Sequence, residues 1–178
     1  MIIGISGKLG SGKSTVAKLV ADFLGWETWS FGRAVKLGTA TQYGFKAELC
    51  FTQEGKLTMI DTPVVIEEFG AAKSVRELLQ HFGTDLTRAR DADYWVKKCP
   101  LDQNLVIDDV RFPNEAQFCL DNGFCVRVEH YGKPSDTHES EVALDDYQLF
   151  DLVLTPGFGQ LRQSALRVLQ MLGHHRVF

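Results

Sequence analysis

The chain has 178 residues, of which 44% are hydrophobic and 24% are charged. This length and composition predict one globular domain with a substantial core. The formal net charge of −4, from 19 basic and 23 acidic side chains, argues against a protein that coats nucleic acid. No segment has the length and apolarity of a membrane span, and no secretory signal pattern is visible, so we expect a cytoplasmic protein without a membrane partner. The four cysteines lie far apart, which predicts buried thiols rather than a metal site.

Strands and helices are predicted to alternate along most of the chain. The predicted strands are 1–6, Trp26–Phe31, Leu105–Ile107, Phe124–Val128 and Phe150–Leu154. One predicted helix follows the first loop, with apolar residues at helical spacing from Val16 to Leu24 and Gly25 at its end. The others are Val75–Phe82 with Ser74 as N-cap and Gly83 at its end, 85–98, one that starts at Pro113 and ends near Gly123, and 161–172. This alternation predicts a three-layer α/β fold with about five parallel strands, helices on both faces, and a site at the carboxyl ends of the strands.

The stretch 32–98 lacks this regular alternation. It begins with a helical pattern that fades by Gly44, and it contains turn signals at 53–56 and 61–63 and a short extended piece at Val64–Ile66. It lies between the second and third predicted core strands. We therefore expect one P-loop domain over 1–178, with a core of 1–31 and 99–178 and a mostly helical, substrate-binding insertion at 32–98.

A phosphate-binding loop follows the first strand. The segment GKLGSGKST, Gly7–Thr15, meets the pattern G-x-x-x-x-G-K-[ST] at Gly7, Gly12, Lys13 and Ser14. Glycines let successive backbone N–H groups point at an anion, the lysine reaches the outer phosphates, and the serine hydroxyl is a hard ligand for Mg²⁺. Because a strand precedes the loop and a helix follows it, a chance glycine-rich turn is a poor alternative.

A P-loop alone does not separate kinases from other nucleotide-binding proteins. The chain lacks the N-K-x-D motif that would read guanine in a GTPase. A small-molecule kinase needs a second phosphate-binding pocket. Arg76, Gln80 and Thr84 are spaced to share one helix face and offer a cation, an amide and a hydroxyl, although a solvated helix edge would look the same. Trp95 is either a flat wall for a base or a core tryptophan.

Two carboxylates and an arginine follow the buried strand 105–107. Asp108 and Asp109 stand where a P-loop protein holds Mg²⁺, directly or through water. Arg111 can make a bidentate contact with a phosphate. Capping of the next helix explains Asn114 or Asp109 as well, but it does not explain Arg111.

Together these segments resemble the deoxynucleoside monophosphate kinases of tailed bacteriophages, which have the P-loop nucleoside monophosphate kinase fold. The resemblance covers roughly residues 1–155, in family order. It rests on Gly7–Ser14, SVRELLQHFGTDL at Ser74–Leu86, YWVK at Tyr94–Lys97, DDVRFPNEA at Asp108–Ala116 and DTHESE at Asp136–Glu141.

The resemblance implies a kinase that uses Mg²⁺-ATP and a deoxynucleoside monophosphate and supplies the diphosphate for phage DNA synthesis. It implies an ATP site formed by the P-loop residues Gly7, Gly10, Ser11, Gly12, Lys13, Ser14 and Thr15. It implies that Trp95 stacks on the acceptor base, in a pocket lined by Arg33, Lys36, Arg76, Gln80, Thr84, Asp109 and Arg111. The catalytic set would be Lys13, Asp109 and Arg111, with Ser14 and Asp108 as metal ligands.

Three parts of this assignment depend on the resemblance most heavily. The segment 131–141 resembles a short lid, in which Lys133 and His138 approach the transferring phosphoryl group. Arg33 often corresponds to an acidic residue in the family, so it either contacts phosphate or is a surface charge. Thr155-Pro156-Gly157 replaces the family's asparagine-containing turn beside adenine, which leaves the contact with the donor base open. The family also suggests a homodimer.

Two other functions fit the sequence less well. One is a kinase for another small acceptor, such as dephospho-coenzyme A or a sugar acid, which Trp95 and Gln80 do not favour. The other is a nucleotide-binding regulator without activity, against which Asp108, Asp109 and Arg111 argue. The sequence leaves open which base is accepted and how ribonucleotides are excluded.

Overall fold

The structure is a computed structural model that describes residues 1–66, 70–129 and 142–175. It describes the side chains of these residues except at 61–66, 70–72, 84, 85, 174 and 175. The chain divides into two compact units, one formed by 1–31 and 99–178 and the other by 32–98.

The described residues form seven strands and seven α-helices. The strands are β1 (Ile2–Ser6), β2 (Glu27–Trp29), β3 (Met59–Ile66), β4 (Gly70–Ser74), β5 (Leu105–Val110), β6 (Gly123–Val128) and β7 (Leu152–Leu154). The helices are α1 (Lys13–Leu24), α2 (Phe31–Tyr43), α3 (Gln53–Lys56), α4 (Val75–Gln80), α5 (Thr87–Arg90), α6 (Pro113–Asn122) and α7 (Leu161–His175). Within the described ranges, no helix is both long and apolar enough to cross a membrane.

The first unit is built on a parallel sheet with the strand order β2-β5-β1-β6-β7. This confirms the predicted five-stranded parallel sheet. β1 is the central strand, and all five of its residues are buried. After β1 the chain forms β2 and β5 on one side of it and then β6 and β7 on the other side. The strand order therefore reverses at β1. In such sheets the ligand crevice opens at the carboxyl end of this strand, where Gly7 begins the P-loop.

Helices cover both faces of this sheet, as predicted. Alternate side chains of a strand point to opposite faces. Ile3 and Ile5 belong to one buried cluster with residues of α1 and α7. Gly4 faces the other way, because a Cβ atom there would lie 2.4 Å from Cys119 Sγ of α6. A residue with a side chain at position 4 would therefore push α6 from the sheet.

Several helix boundaries follow from local rules and match their predictions. Gly25 ends α1 in the left-handed conformation, with a φ of 67°. Ser74 caps α4, and its hydroxyl accepts a hydrogen bond from the Glu77 N–H at 3.3 Å. Pro113 occupies the first turn of α6.

The second unit is mostly helical, as predicted, but three of its local features differ from the predictions. β3 and β4 form a two-stranded antiparallel hairpin, of which the sequence indicated only Val64–Ile66. The predicted end of a helix at Gly83 is wrong, because α4 continues into a π-helical segment, His81–Leu86, and then into α5. The predicted helix 85–98 is also wrong. Beyond the end of the π-helical segment at Leu86, only α5 and a short 3₁₀ turn at Val96–Lys98 are helical there.

A close approach between α2 and the π-helical segment accounts for this geometry. A Cβ atom at Gly83 would lie 2.2 Å from Val35 Cγ1, so only glycine fits. The Gly83 carbonyl accepts a hydrogen bond from the Trp95 Nε1–H at 2.7 Å, and the Thr87 hydroxyl donates to it at 3.0 Å. The Gly83 carbonyl therefore receives two side-chain donors within the π-helical segment.

We expect Gly83→Ala to lower the free energy of unfolding by about 1–3 kcal/mol, the usual cost of overpacking. Val35→Ala removes the clashing Cγ1, after which the nearest Val35 atom, Cβ, is 3.6 Å from the new methyl group. The double variant should therefore lose less stability than the sum of the two single changes. Denaturant unfolding of the three variants measures this coupling.

Gly173→Ala is the matched control for this change. Gly173 lies inside α7, and a Cβ atom there meets nothing within 4 Å. Because alanine favours a helix over glycine by about 1 kcal/mol, this change should be neutral or stabilising. Strictly additive effects at positions 35 and 83 would contradict the close approach.

Candidate active site

The P-loop connects β1 to α1 through glycines that are required by space and by conformation. A Cβ atom at Gly7 would lie 2.4 Å from the Val128 carbonyl oxygen of β6. Gly12 has a φ of 86°, and a Cβ atom there would lie 2.5 Å from Leu161 Cδ2 of α7. Gly12 is also the N-cap of α1 and has no side chain that could accept from the first N–H groups. Those donors and the helix dipole therefore suit an anion supplied by a ligand.

Lys13 and Ser11 are buried within this loop. Lys13 is 7% exposed, and its Nζ donates to the Lys8 carbonyl oxygen at 3.2 Å. The same carbonyl accepts the Ser11 N–H at 3.1 Å, which closes the loop. The buried Ser11 hydroxyl has no hydrogen-bond partner in the described part of the chain. A buried ammonium group and an unsatisfied hydroxyl both cost free energy that a phosphate ligand would offset.

A buried arginine joins the P-loop to β6. Arg127 is 6% exposed, and its Nη1 donates to Ser6 Oγ at 3.1 Å. Its Nη2 lies 3.3 Å from Asp145 Oδ1, and the other oxygen of this carboxylate lies 2.7 Å from Lys8 Nζ. Asp145 thus bridges the buried guanidinium of Arg127 and the ammonium group of Lys8, which lies in the P-loop. This network was not predicted from the sequence, although an arginine inside the apolar strand GFCVRV is a signal for it.

Asp108 and Asp109 lie at an irregularity in β5. Gly4 pairs with Ile107 and Ser6 pairs with Val110, so the two aspartates together oppose Ile5 as a β-bulge. Bulges redirect side chains and are frequent next to active sites. Asp109 Oδ1 accepts the Phe31 N–H at 2.8 Å, and Oδ2 accepts the Ser30 hydroxyl at 2.9 Å.

This geometry gives Asp109 a capping role that the sequence did not indicate. It caps the first residue of α2, whereas capping was considered only for the helix that follows β5. At the start of α6 the N-cap residue is Phe112. The buried Glu115 of the first turn accepts, through Oε2, the N–H groups of Arg111 at 2.8 Å and Phe112 at 3.2 Å. These bonds fix the backbone of Arg111. The catalytic roles of Asp109 and Arg111 remain predictions.

The oxygen donors beside the P-loop fit a nucleotide-bound magnesium ion. Among the described residues, no group of three or more His, Cys, Asp or Glu could hold a metal ion alone. Mg²⁺ in phosphoryl-transfer sites takes one or two protein oxygens and completes its shell with phosphates and water. The Ser14 hydroxyl is exposed in the first turn of α1, and Asp108 is half-buried in the bulge. Both are hard oxygen donors of the required kind.

In the second unit, the predicted acceptor residues divide between α2 and α4. Lys36 Nζ lies 4.9 Å from the ring centroid of Phe51. Arg76 Nη2 donates to Gln53 Oε1 at 2.8 Å. Arg33 and Gln80 are exposed on these helices. Thr84 lies in the π-helical segment, so it does not follow the regular spacing from which a shared face was predicted, and its side chain is outside the described residues.

Trp95 is a core residue of the second unit. It is 3% exposed, and its indole N–H is shared between the Gly83 carbonyl and Thr87 Oγ1. Its ring packs edge-on against Tyr94 and Phe82. Stacking on a base needs an open ring face, so this burial supports the core alternative over the predicted stacking role.

The structure describes the predicted donor-base region but not the predicted lid. The lid candidates Lys133 and His138 lie outside the described residues. After β7, a cavity of about 220 Å³ is present. It is lined by Leu154, Thr155, Pro156, Gln160, Gln163, Ser164 and Arg167. Two of the lining residues, Thr155 and Pro156, belong to the turn at 155–157.

We expect Asp145→Asn to lower the free energy of unfolding by about 1–3 kcal/mol, because it leaves the buried Arg127 charge without its carboxylate. Lys8→Gln should cost less, up to about 1 kcal/mol, because ion pairs exposed to solvent are weak. The Lys8–Asp145 pair is 33% and 38% exposed at its two side chains. Denaturant midpoints at a common pH and salt concentration measure both changes.

Asp22→Asn is the matched control, since Asp22 pairs with Lys18 at a largely exposed position of α1. It should change stability by no more than a few tenths of a kcal/mol. An Asp145→Asn variant as stable as Asp22→Asn would show that the Arg127 charge does not depend on Asp145.

Known proteins place this chain in a family. No protein-family model matches it. The shikimate kinase of Acinetobacter baumannii in complex with shikimate has a TM-score of 0.51 and 14% identity, covering 99% of this chain and 95% of that one, which shows the P-loop kinase fold alone. A protein of Acanthamoeba polyphaga mimivirus, "Putative deoxynucleotide monophosphate kinase", is 34% identical to this chain. The match covers 86% of this chain and 87% of the mimivirus protein. The chain therefore belongs to the deoxynucleotide monophosphate kinase family.

Proposed function

We propose that this protein transfers the γ-phosphoryl group of ATP to the 5′-phosphate of a deoxynucleoside monophosphate, giving ADP and the deoxynucleoside diphosphate. The observation that carries the proposal is the P-loop of the first unit. There a glycine N-cap, a buried lysine and an unsatisfied serine hydroxyl surround the start of α1. The relationship to the mimivirus protein supports the acceptor class. A role in supplying DNA precursors follows from that class.

The reaction needs little covalent chemistry from the protein. An oxygen of the acceptor phosphate attacks the γ-phosphorus, the bond from the γ-phosphorus to the β,γ-bridging oxygen breaks, and ADP leaves with that oxygen. The attacking oxygen is already anionic, so no strong general base is required. The rate then depends on positioning and on neutralising charge.

The P-loop and the segment 108–111 have separate roles in this proposal. The N–H groups at the start of α1 bind the phosphates, and Lys13 carries charge at the β- and γ-oxygens. Arg111 offsets the repulsion between the two anions, and its backbone is held by Glu115.

Ser14 and Asp108 would hold Mg²⁺, which neutralises charge on the β- and γ-phosphates when bound. Asp109 positions the start of α2 through its bonds to Ser30 and Phe31.

The acceptor is assigned to the second unit. Lys36 and Arg76 supply positive charge, and Gln80 supplies an amide for the base, with Arg33 and Thr84 as further candidates. Trp95 acts here as a positioning residue, because its N–H holds the π-helical segment beside α2. Lys133 and His138, which lie outside the described residues, are proposed to approach the transferring phosphoryl group.

The proposal is tested by ADP release in a coupled assay with Mg²⁺-ATP and dAMP, dGMP, dCMP or dTMP. GMP is the ribose control, and a reaction without acceptor measures ATP hydrolysis. We expect turnover with at least one deoxynucleotide, well above both controls. ADP release that is independent of every acceptor would refute the transfer reaction.

Lys13→Ala should lower kcat by about 10²–10⁴-fold, the usual effect of removing one oriented charge from a transition state. Lys18→Ala is the matched control, because Lys18 lies on the same helix but pairs at the surface with Asp22. We expect the control to keep wild-type kcat. A kcat for Lys13→Ala within threefold of wild type would remove Lys13 from the mechanism.

Arg111→Ala should also lower kcat by about 10²–10⁴-fold. Arg111→Lys should recover only part of this loss, since an ammonium group cannot make a bidentate contact. Arg162→Ala, an exposed position of α7, controls for the loss of one positive charge. Equal rates for Arg111→Ala and Arg162→Ala would exclude a role for the guanidinium group.

A further inference from the structure

In the second unit, one lysine lies close enough to two other cations to be affected by their charges. The three cations are Lys36 of α2, Lys56 of α3 and Arg76 of α4. Partial burial lowers the pKa of Lys56, and the positive charges of Lys36 and Arg76 lower it further. Lys36 and Arg76 are among the predicted acceptor residues, whereas Lys56 has no predicted role.

The segment 50–56 is attached to both flanking helices. Cys50 Sγ lies 3.7 Å from the Lys36 carbonyl oxygen, and the Lys36 ammonium lies over the Phe51 ring. Gln53 Oε1 accepts a hydrogen bond from the Arg76 guanidinium group. Thr52 caps α3, and its Oγ1 accepts the Gly55 N–H at 2.9 Å. Lys56 is therefore held at the end of a short, anchored helix rather than on a free loop.

Neighbouring positive charges destabilise a fold unless an anion compensates them. Lys36 and Lys56 are half-buried, so water screens them less than it screens surface lysines. Within the described ranges, no carboxylate forms an ion pair with any of the three cations. Arg76 uses one N–H group for Gln53, and a guanidinium group has five. The cluster thus has the charge and the donors for a doubly charged anion.

We propose that Lys56 completes, with Lys36 and Arg76, a binding cluster for a phosphate monoester dianion. This rests on the proposed function, under which that dianion is the 5′-phosphate of the acceptor. Lys56 is then a specificity-determining residue that recognises the acceptor through its phosphate and not through its base. The same chemistry would bind free inorganic phosphate, so the test uses both a deoxynucleoside monophosphate and inorganic phosphate as probes.

Isothermal titration of the full-length protein with deoxynucleoside monophosphates, without ATP, measures the binding directly. Lys56→Gln should raise the Kd of the best-bound monophosphate about tenfold, since a charge-assisted hydrogen bond is lost. The Kd of the matching deoxynucleoside, which lacks the phosphate, should not change. Lys46→Gln is the control, because Lys46 is an exposed lysine of the same unit.

Thermal stability gives a second readout that a merely structural lysine would not produce. Without ligand, Lys56→Gln should unfold at the same or a higher temperature than wild type, because a repulsive charge is gone. Inorganic phosphate should raise the unfolding temperature of wild type and of Lys46→Gln more than that of Lys56→Gln.

The outcomes separate this inference from the proposed function. A wild-type protein that catalyses transfer, with equal monophosphate affinity in Lys56→Gln and Lys46→Gln, overturns the inference alone. A wild-type protein without kinase activity, whose monophosphate or phosphate binding is weakened by Lys56→Gln, leaves the inference standing and removes the proposed function. A wild-type protein that binds neither anion overturns the inference.

Discussion

The burial of two cations near the carboxyl end of β1 is the constraint on which the first unit depends. Lys13 and Arg127 are both almost fully buried, and buried charge is costly unless it is paired or hydrogen-bonded. Arg127 is compensated by Asp145 and Ser6, whereas the Lys13 ammonium donates to the Lys8 carbonyl. Because Asp145 also binds Lys8, the two cations are connected through one residue of the P-loop. This connection stabilises the loop before any ligand is present.

Two carboxylates of the first unit hold backbone segments in place. Asp109 holds the start of α2, and Glu115 holds the backbone at Arg111. A kinase of the proposed type depends on orientation, since small displacements of the reacting groups lower the rate strongly. Acidic residues that look like ligands in the sequence can therefore support catalysis by fixing the backbone that carries the cations.

The second unit illustrates how far local patterns can be trusted. The N-cap at Ser74 was predictable because a serine before an apolar helical pattern has a local hydrogen-bonding reason. Gly83 looked like a helix end by the same local logic. The structure uses it instead for close approach to Val35 and as an acceptor for Trp95. Both partners are distant in sequence, so no local rule could have favoured the π-helical continuation.

The sequence by itself determined the P-loop, the strand and helix alternation, the parallel sheet, and the termini at Gly25 and Pro113, because these follow from backbone rules and periodicity. The tertiary structure decided which residues compensate charge. Asp109 caps a helix start 78 positions away, and Arg127 pairs with a serine 121 positions away. Burial of Trp95 and the neighbourhood of Lys56 were decided in the same way. Charge compensation and burial depend on distance in space, which the chain sets only when it folds.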